Sequence, residues 1–304
     1  MKLARTALFA ASLAAAAGPV FADAGGTATF GNLRVTLIDL NPNDGIAASI
    51  TFLPDTRKFY DGASVKGEAK SWIDQGSFAD VHDEKVLKTA AWGSANIGGA
   101  AHTDTASMSG SVTASADGTG FNALSVTGSA LATPGHLSYF YGTANVPGTN
   151  LRNFTLSANT QVVFSVDAAM SVSTDVAAAP GELRFEQSWA RMGLYVSGLA
   201  GDGVTELVDD QWRSISVGLP GDAIPSGGSD SWSGVISSSF SNLSGHSTGG
   251  GFWGYGAIEG GSYLMAAPVP EPATYGMLLG GLGLVGVVAR RRRSKQACST
   301  KENV

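Results

Sequence analysis

The central part of this sequence reads as all-β, an antiparallel β-sandwich or jelly-roll-like domain. Three observations point that way. Apolar residues recur at every second position over short runs rich in Val, Phe, Leu and Thr, the period of a half-buried strand. Gly, Ser, Asn and Pro punctuate those runs, and glycine alone supplies 41 of 304 residues. Amphipathic helical periodicity is hard to find between them.

In chain order, Leu33, Val35 and Leu37 alternate with Arg34 and Thr36 as the first strand signal. Residues 61–92 carry the most charge and predict one short helix around Asp80–Ala91. Residues 94–135 are Gly, Ala, Ser and Thr with few large side chains, which fits long flat strands or a partly disordered excursion. No fixed-period repeat emerges, so a solenoid is not expected. Phe154–Leu156 leads through a Ser157-Ala158-Asn159 turn into strands over Gln161–Asp167 and Met170–Val176. Leu183–Glu186, Arg191–Ser197 and Trp212–Leu219 follow, then a loop over Pro220–Ser229. Ser231–Leu243 and Phe252–Met265 close the domain, and Ala266–Pro268 begins a linker. Arg152–Val217 has the clearest strand pattern and is expected to form the heart of the core.

The two ends read differently. Lys2 and Arg5 precede an apolar run from Ala7 to Ala17, then Gly18-Pro19 and small residues, the pattern of a secretory signal peptide over residues 1–24. Cleavage after Ala22 or after Ala24 satisfies the small-residue rule equally. At the other end, Val269-Pro270-Glu271-Pro272 is a rigid extended leader, because proline lacks an N–H and disfavours helix in the residue before it. Ala273–Ala289 follows without a charge, and Arg290, Arg291, Arg292 and Arg293 close the pattern. As a helix, 273–289 would span roughly 26 Å, close to the ~30 Å hydrocarbon core of a bilayer. The arginines stay cytoplasmic by the positive-inside rule, and Ser294–Val304 forms a cytoplasmic tail. A helical signal segment and a transmembrane helix are therefore expected to flank a β-rich exported domain over 25–267.

Val269, Pro270, Glu271 and Pro272, the following Ala273-Thr274, the Gly/Leu-rich span and the arginine cluster together resemble a PEP-CTERM sorting domain over residues 268–293. The resemblance implies a Gram-negative exported protein processed by exosortase, a membrane-embedded cysteine transpeptidase. It implies an inner-membrane anchor before processing, then residence at the cell surface or in an exopolysaccharide and biofilm matrix. Two positions depart from the family pattern: it often has Ser where Ala273 stands, and usually ends soon after the arginines. The same motif also carries the label "ice-binding protein C-terminal domain". That label does not imply ice binding, which would need a flat regular face, and no regular Thr repeat is visible in the sequence.

Composition narrows the function of the central part. Residues 25–267 hold 22 Asp/Glu against 11 Lys/Arg, an acidic balance that argues against nucleic-acid binding. The single cysteine, Cys298, lies beyond the arginines, so the central domain must hold by core burial without disulfides. A cysteine nucleophile and an all-Cys metal site are excluded there.

Motifs with chemical potential are weak. Gly245-His246-Ser247-Thr248-Gly249 matches a nucleophile elbow, but no helix follows and no histidine comes after Ser247. Gly249-x-Gly251-x-x-Gly254 matches a dinucleotide fingerprint without a βαβ unit around it. His82, Asp83 and Glu84, and His102 with Asp104, lack ligand spacing for a metal. Asp202, Asp209 and Asp210 lack a calcium-loop pattern. No cofactor or metal is expected. The six tryptophans and seven tyrosines offer sugar-stacking faces, and Trp253 and Tyr255, set among glycines, are the candidate glycan contacts. The expected function is a non-enzymatic structural or adhesive role, with a carbohydrate-binding module as the alternative and a glycan-active hydrolase using paired carboxylates as the second.

Overall fold

The computed structural model describes residues 22–53, 63–73, 81–90, 96–113, 122–132, 135–146, 153–175, 184–218 and 227–264. Its elements are strands: β1 (Ala22–Asp39), β2 (Ile50–Phe52), β3 (Ala63–Ile73), β4 (Val81–Ala90), β5 (Ile97–His102), β6 (Ala106–Thr113) and β7 (Ala123–Ala132). They continue with β8 (His136–Val146), β9 (Phe154–Leu156), β10 (Thr160–Thr174), β11 (Arg184–Leu199), β12 (Glu206–Val217), β13 (Ser229–Asn242) and β14 (Thr248–Leu264). All pair antiparallel.

One sheet runs β13-β10-β1-β7-β6-β5. The second runs β12-β11-β14-β8-β3-β4, with the short β9 and β2 continuing from β14. The sheets face each other across one core. Strand β10 shows the logic: every second residue from Thr160 to Thr174 is buried, including Val162, Phe164, Val166, Met170 and Val172. Their counterparts on the second sheet are Phe140 of β8, Met192, Leu194 and Val196 of β11, and Phe252 and Ile258 of β14. Phe164 stacks on Phe252 with centroids 4.4 Å apart, tying the sheets together. Burying such a side chain stabilises the fold by about 1.5–3 kcal/mol.

The sequence underestimates strand length. Gln161–Asp167 and Met170–Thr174 fuse into β10 through Ala168 and Ala169, which keep the alternation of buried and outward residues, and Val176 lies outside the described residues. Arg184–Glu186 and Arg191–Ser197 fuse into β11, whose Ser188 is fully buried and donates its hydroxyl to the Gly25 carbonyl at 2.8 Å, and Leu183 lies outside the described residues. In the small-residue region, residues 97–102, 106–113 and 123–132 are strands. Gly128 shows what the small side chains do there. A Cβ on it would lie 2.3 Å from the Phe140 ring, so the glycine makes the space that Phe140 fills.

The helix expected around Asp80–Ala91 is not formed. Residues 81–90 are strand β4, paired with β3 from Trp72 opposite Val81 to Ala63 opposite Ala90. Leu87, Lys85 and Glu84 favour a helix locally, but the β3 ladder overrides propensity. Only Val86 of β4 is buried, and its charges suit a strand at a sheet edge.

The sandwich edges are closed by side chains. Asp209 of β12 accepts the Ser239 backbone N–H of β13 at 2.7 Å, and the Ser238 hydroxyl donates to the Asp209 carbonyl at 2.6 Å. On the far edge, Glu84 of β4 accepts the His102 N–H of β5 at 3.1 Å. Within β1, a register shift between Gly31 and Arg34 brings Asn32 to positive φ and aims it with Arg34 at Asp167. Those hydrogen bonds, the Arg34 ones foremost, hold the Asp167 carboxyl down at about 2.

Asn153 supplies a polar join at the start of β9. Buried beside Phe252, its amide donates to the Phe252 carbonyl at 2.7 Å and accepts the Phe252 N–H at 2.9 Å. Asn153→Ala would remove both of these hydrogen bonds to the Phe252 backbone, and the expected loss is about 1–3 kcal/mol in denaturant unfolding, with the m-value unchanged.

The signal segment falls on residues 1–24, of which those before Ala22 lie outside the described residues. The linker, the sorting motif and the transmembrane segment 273–289 also lie outside them, as does Trp92. Among the described residues no helix is long and apolar enough to cross a membrane.

Candidate functional site

The sandwich sorts its aromatic residues by layer. The core takes phenylalanine: Phe30, Phe140, Phe154, Phe164, Phe240 and Phe252. Every tyrosine of the described residues lies on the outer face of the second sheet: Tyr139 and Tyr141 on β8, Tyr195 on β11, Tyr255 and Tyr263 on β14. Four of the five described tryptophans join them: Trp72 on β3, Trp189 on β11, Trp212 on β12 and Trp253 on β14. Only Trp232 turns toward the core. A phenol O–H or indole N–H gains from a partner or solvent, so an outer face suits Tyr and Trp as the dry interior suits Phe, although the Trp253 Nε1 is buried with no hydrogen-bond partner among the described residues.

Register assembles these side chains into a cluster. Tyr195 stands opposite Trp253, and Gly193 lies between Trp212 and Tyr255. A Cβ on Gly193 would lie 2.6 Å from the Tyr255 ring, so the glycine lets that ring spread over β11. Trp253 and Tyr255 stack at 4.8 Å with 27° between their planes, and Tyr195 meets Trp253 edge-on at 6.5 Å. The Arg191 guanidinium sits 4.4 Å from the Trp212 ring centroid and 5.7 Å from that of Tyr255.

The two candidate glycan contacts are thus brought together on one outward face. Their flanking glycines do not leave them fully open: both are half-buried, each covering part of the other. Trp212 is the more accessible ring, 46% exposed on the outer strand of the sheet. Sequence reading could not single it out, because its exposure depends on which strand ends the sheet.

A polar patch continues the face. Glu259 of β14, Tyr141 of β8, Glu68 of β3 and Lys85 of β4 stand in one row. Lys70 pairs with Glu68 at 3.0 Å and lies 5.8 Å from the Tyr139 ring centroid. Partial burial pushes the Glu259 carboxyl up, against hydrogen bonds from Tyr139 and Trp189 that pull it down and with Glu68 adding repulsion. Burial, with Glu259 and Glu68 adding, also pushes the Tyr139 phenol up. Glu68 and Glu259 project side by side from one sheet, two strand spacings or roughly 9–10 Å apart at the backbone.

The sign for Glu259 follows from its raised pKa. The folded state holds that proton more tightly than the unfolded chain, so the associated stability is full below the unfolded pKa and lost as pH rises through the folded one. Thermal unfolding from pH 4 upward is expected to show a fall that is smaller in Glu259→Gln; an identical pH profile would remove Glu259 as its source.

The opposite outer face has another chemistry. Ser107, Ser109 and Ser111 of β6 face Ser129, Thr127 and Ser125 of β7, each pair sharing a hydrogen bond of 2.9–3.0 Å. Thr27 of β1 and Ser171 of β10 continue the row at 2.8 Å. Gly25, Thr27, Ser129 and Ser171 help line an open depression of about 330 Å³. The alternation Ser-x-Ser-x-Ser in residues 107–111 was the available sequence signal; reading the region as small-residue composition hid it.

The weaker motifs separate in the structure. Gly245–Gly249 leads into strand β14, with His246 and Ser247 exposed. His102 and Glu84 do meet, Nδ1 to Oε2 at 3.3 Å, but among the described residues no group of three metal-ligating side chains forms. Asp202 caps its own turn by accepting the Val204 and Thr205 N–H groups, which with the Thr205 hydroxyl holds its carboxyl at about 2, while Asp209 fastens the sandwich edge.

Comparison with known families matches residues 268–293 to the PEP-CTERM protein-sorting motif. The chain carries a PEP-CTERM sorting motif. It contains Val269–Pro272 and Arg290–Arg293, and it marks an exported protein that exosortase processes at the membrane. The PEP-CTERM match covers none of the described residues, so it addresses the sandwich without describing its surface. No curated protein and no solved structure matches this chain.

Proposed function

We propose that this PEP-CTERM protein is a non-enzymatic adhesive component of a bacterial cell surface or exopolysaccharide matrix, and that the aromatic face of its second sheet holds polysaccharide. The observation that carries this reading is the concentration of tyrosine and tryptophan on one outer face of an export-addressed sandwich. Aromatic rings offer apolar surface to the C–H faces of sugars, while their polar tips, Arg191, Glu259 and the lysines offer hydrogen bonds to hydroxyls. An acidic chain suits a neutral or cation-bridged glycan better than a nucleic acid.

Paired carboxylates that hydrolyse glycans flank a bound sugar, with one carboxyl poised as acid. Glu68 and Glu259 instead share one face, and Glu68 is engaged by Lys70 and, at 4.0 Å, by Lys85. That arrangement favours holding over cutting.

Affinity electrophoresis of the exported protein in gels containing the producing bacterium's exopolysaccharide tests the reading. Retardation without release of reducing ends is expected. Unretarded migration would leave a purely structural role, and reducing-end release would make the protein a hydrolase.

A further inference from the structure

The first residues of β1 bear on where the mature chain begins. Ala22 stands opposite Ala132 of β7, and Asp23 opposite Leu131. From Ala24 onward β1 is paired on both sides, to Ala130 of β7 and Thr174 of β10, and the Ala24 side chain is fully buried. Ala24 is therefore part of the core, whereas Asp23 stands at its threshold.

Asp23 has a dedicated partner. Its backbone nitrogen donates to the Asp175 carboxylate at 2.7 Å, and the Asp175 N–H returns a bond to the Asp23 carbonyl at 3.1 Å. The Asp23 side chain is itself a carboxylate, and partial burial together with Asp175 raises its pKa. No lysine or arginine of the described residues forms an ion pair with either acid. Two carboxylates thus stand close together, and one of them, that of Asp175, accepts the Asp23 N–H.

We propose that signal peptidase hydrolyses the Ala22–Asp23 bond and that the new α-ammonium of Asp23 is clamped by Asp175. This rests on the reading of the N-terminal residues as a secretory leader, with Val20 and Ala22 as the small residues before the cut. Water supplies the hydroxyl to the Ala22 carbonyl carbon and a proton to the leaving nitrogen, which takes a further proton from solvent near neutral pH. The neutral N–H···O bond to Asp175 becomes a charge-assisted one, and the cation offsets the repulsion between the acids. A cut after Ala24 would instead remove a buried core residue and discard the nitrogen that Asp175 holds.

The test is N-terminal sequencing and intact mass of the full chain exported by a Gram-negative host. A chain starting at Asp23 is expected. One starting at Gly25 overturns the position and keeps the leader, and one still carrying Met1 overturns the leader itself. The clamp is tested separately with Asp175→Asn, which keeps an acceptor and removes the charge. In the exported chain this variant is expected to lower the Tm by about 2–4 °C, the size of a 1 kcal/mol effect in a domain of this length. In full chain retained in the cytoplasm with its leader, measured in the same detergent, the loss is expected to be smaller. Equal losses in the two forms would overturn the clamp.

Discussion

Replacing Pro270 and Glu271 by alanine is expected to hold the protein in the inner-membrane fraction and to reduce its surface release at least tenfold. The argument rests on what each part of the matched motif does physically. The prolines of Val269–Pro272 disfavour helix across the leader, which keeps it apart from the helix expected over 273–289. With alanine there, the strip loses the Pro270 restraint and the Glu271 carboxylate that a membrane-embedded transpeptidase would grasp, while Pro272 still keeps a helix over 273–289 from extending backward. The apolar run and Arg290–Arg293 are untouched, so the variant should still insert and remain as a full-length membrane species. Replacing the four arginines by serine is a separate lesion, since it removes the positive charge that fixes orientation. Fractionation with immunoblotting distinguishes them: an uncleaved anchored band for the Pro-Glu variant, a misoriented or lost product for the arginine variant. Normal surface release of the Pro-Glu variant would sink the sorting role assigned to those residues.

The second large effect concerns the aromatic face. Trp212→Ala and Trp253→Ala should each weaken exopolysaccharide binding by about tenfold or more, the cost of losing an aromatic anchor at a binding surface. Trp212 is chosen for its exposure, and Trp253 because its ring supports both Tyr255 and Tyr195. Trp212→Ala also uncovers Arg191, so unfolding curves must be recorded beside the binding curves. The opposite face supplies the control. Ser109→Ala with Thr127→Ala removes a 2.9 Å hydroxyl pair from the outer face of the first sheet, opposite the described tyrosines, and should leave binding within twofold. If the hydroxyl variant loses binding and the tryptophan variants keep it, the glycan-holding face has been assigned to the wrong sheet.

Much of the fold was legible from alternation. Leu33, Val35 and Leu37 fall in β1, the Asn159 turn falls between β9 and β10, and each later apolar run marks a strand. Strand ends and the edge strand were less legible. Alanine and serine hide a strand's continuation, as in β10 and β11, because small residues carry no pattern until a neighbouring strand is known. Strand β4 read as helix because Lys, Glu and Leu favour a helix locally and the β3 ladder that overrides them is distant information. Trp253 and Tyr255 stood out by their flanking glycines. Their neighbours Tyr195, Arg191 and Trp212 come from two other strands and became neighbours only through register.

By itself the sequence determined the address and the class. The sorting motif is a contiguous pattern of proline, apolar length and charge order, read by the membrane and its enzymes segment by segment, so no tertiary contact is needed to recognise it. All-β architecture likewise follows from period-two alternation, a local property. Tertiary structure alone decided the surfaces. Which strands neighbour each other fixes that tyrosine and tryptophan gather on one outer face, that serine and threonine line the other, and that Asp175 meets the nitrogen of Asp23, because antiparallel pairing places side by side residues that the chain separates by as many as 152 positions.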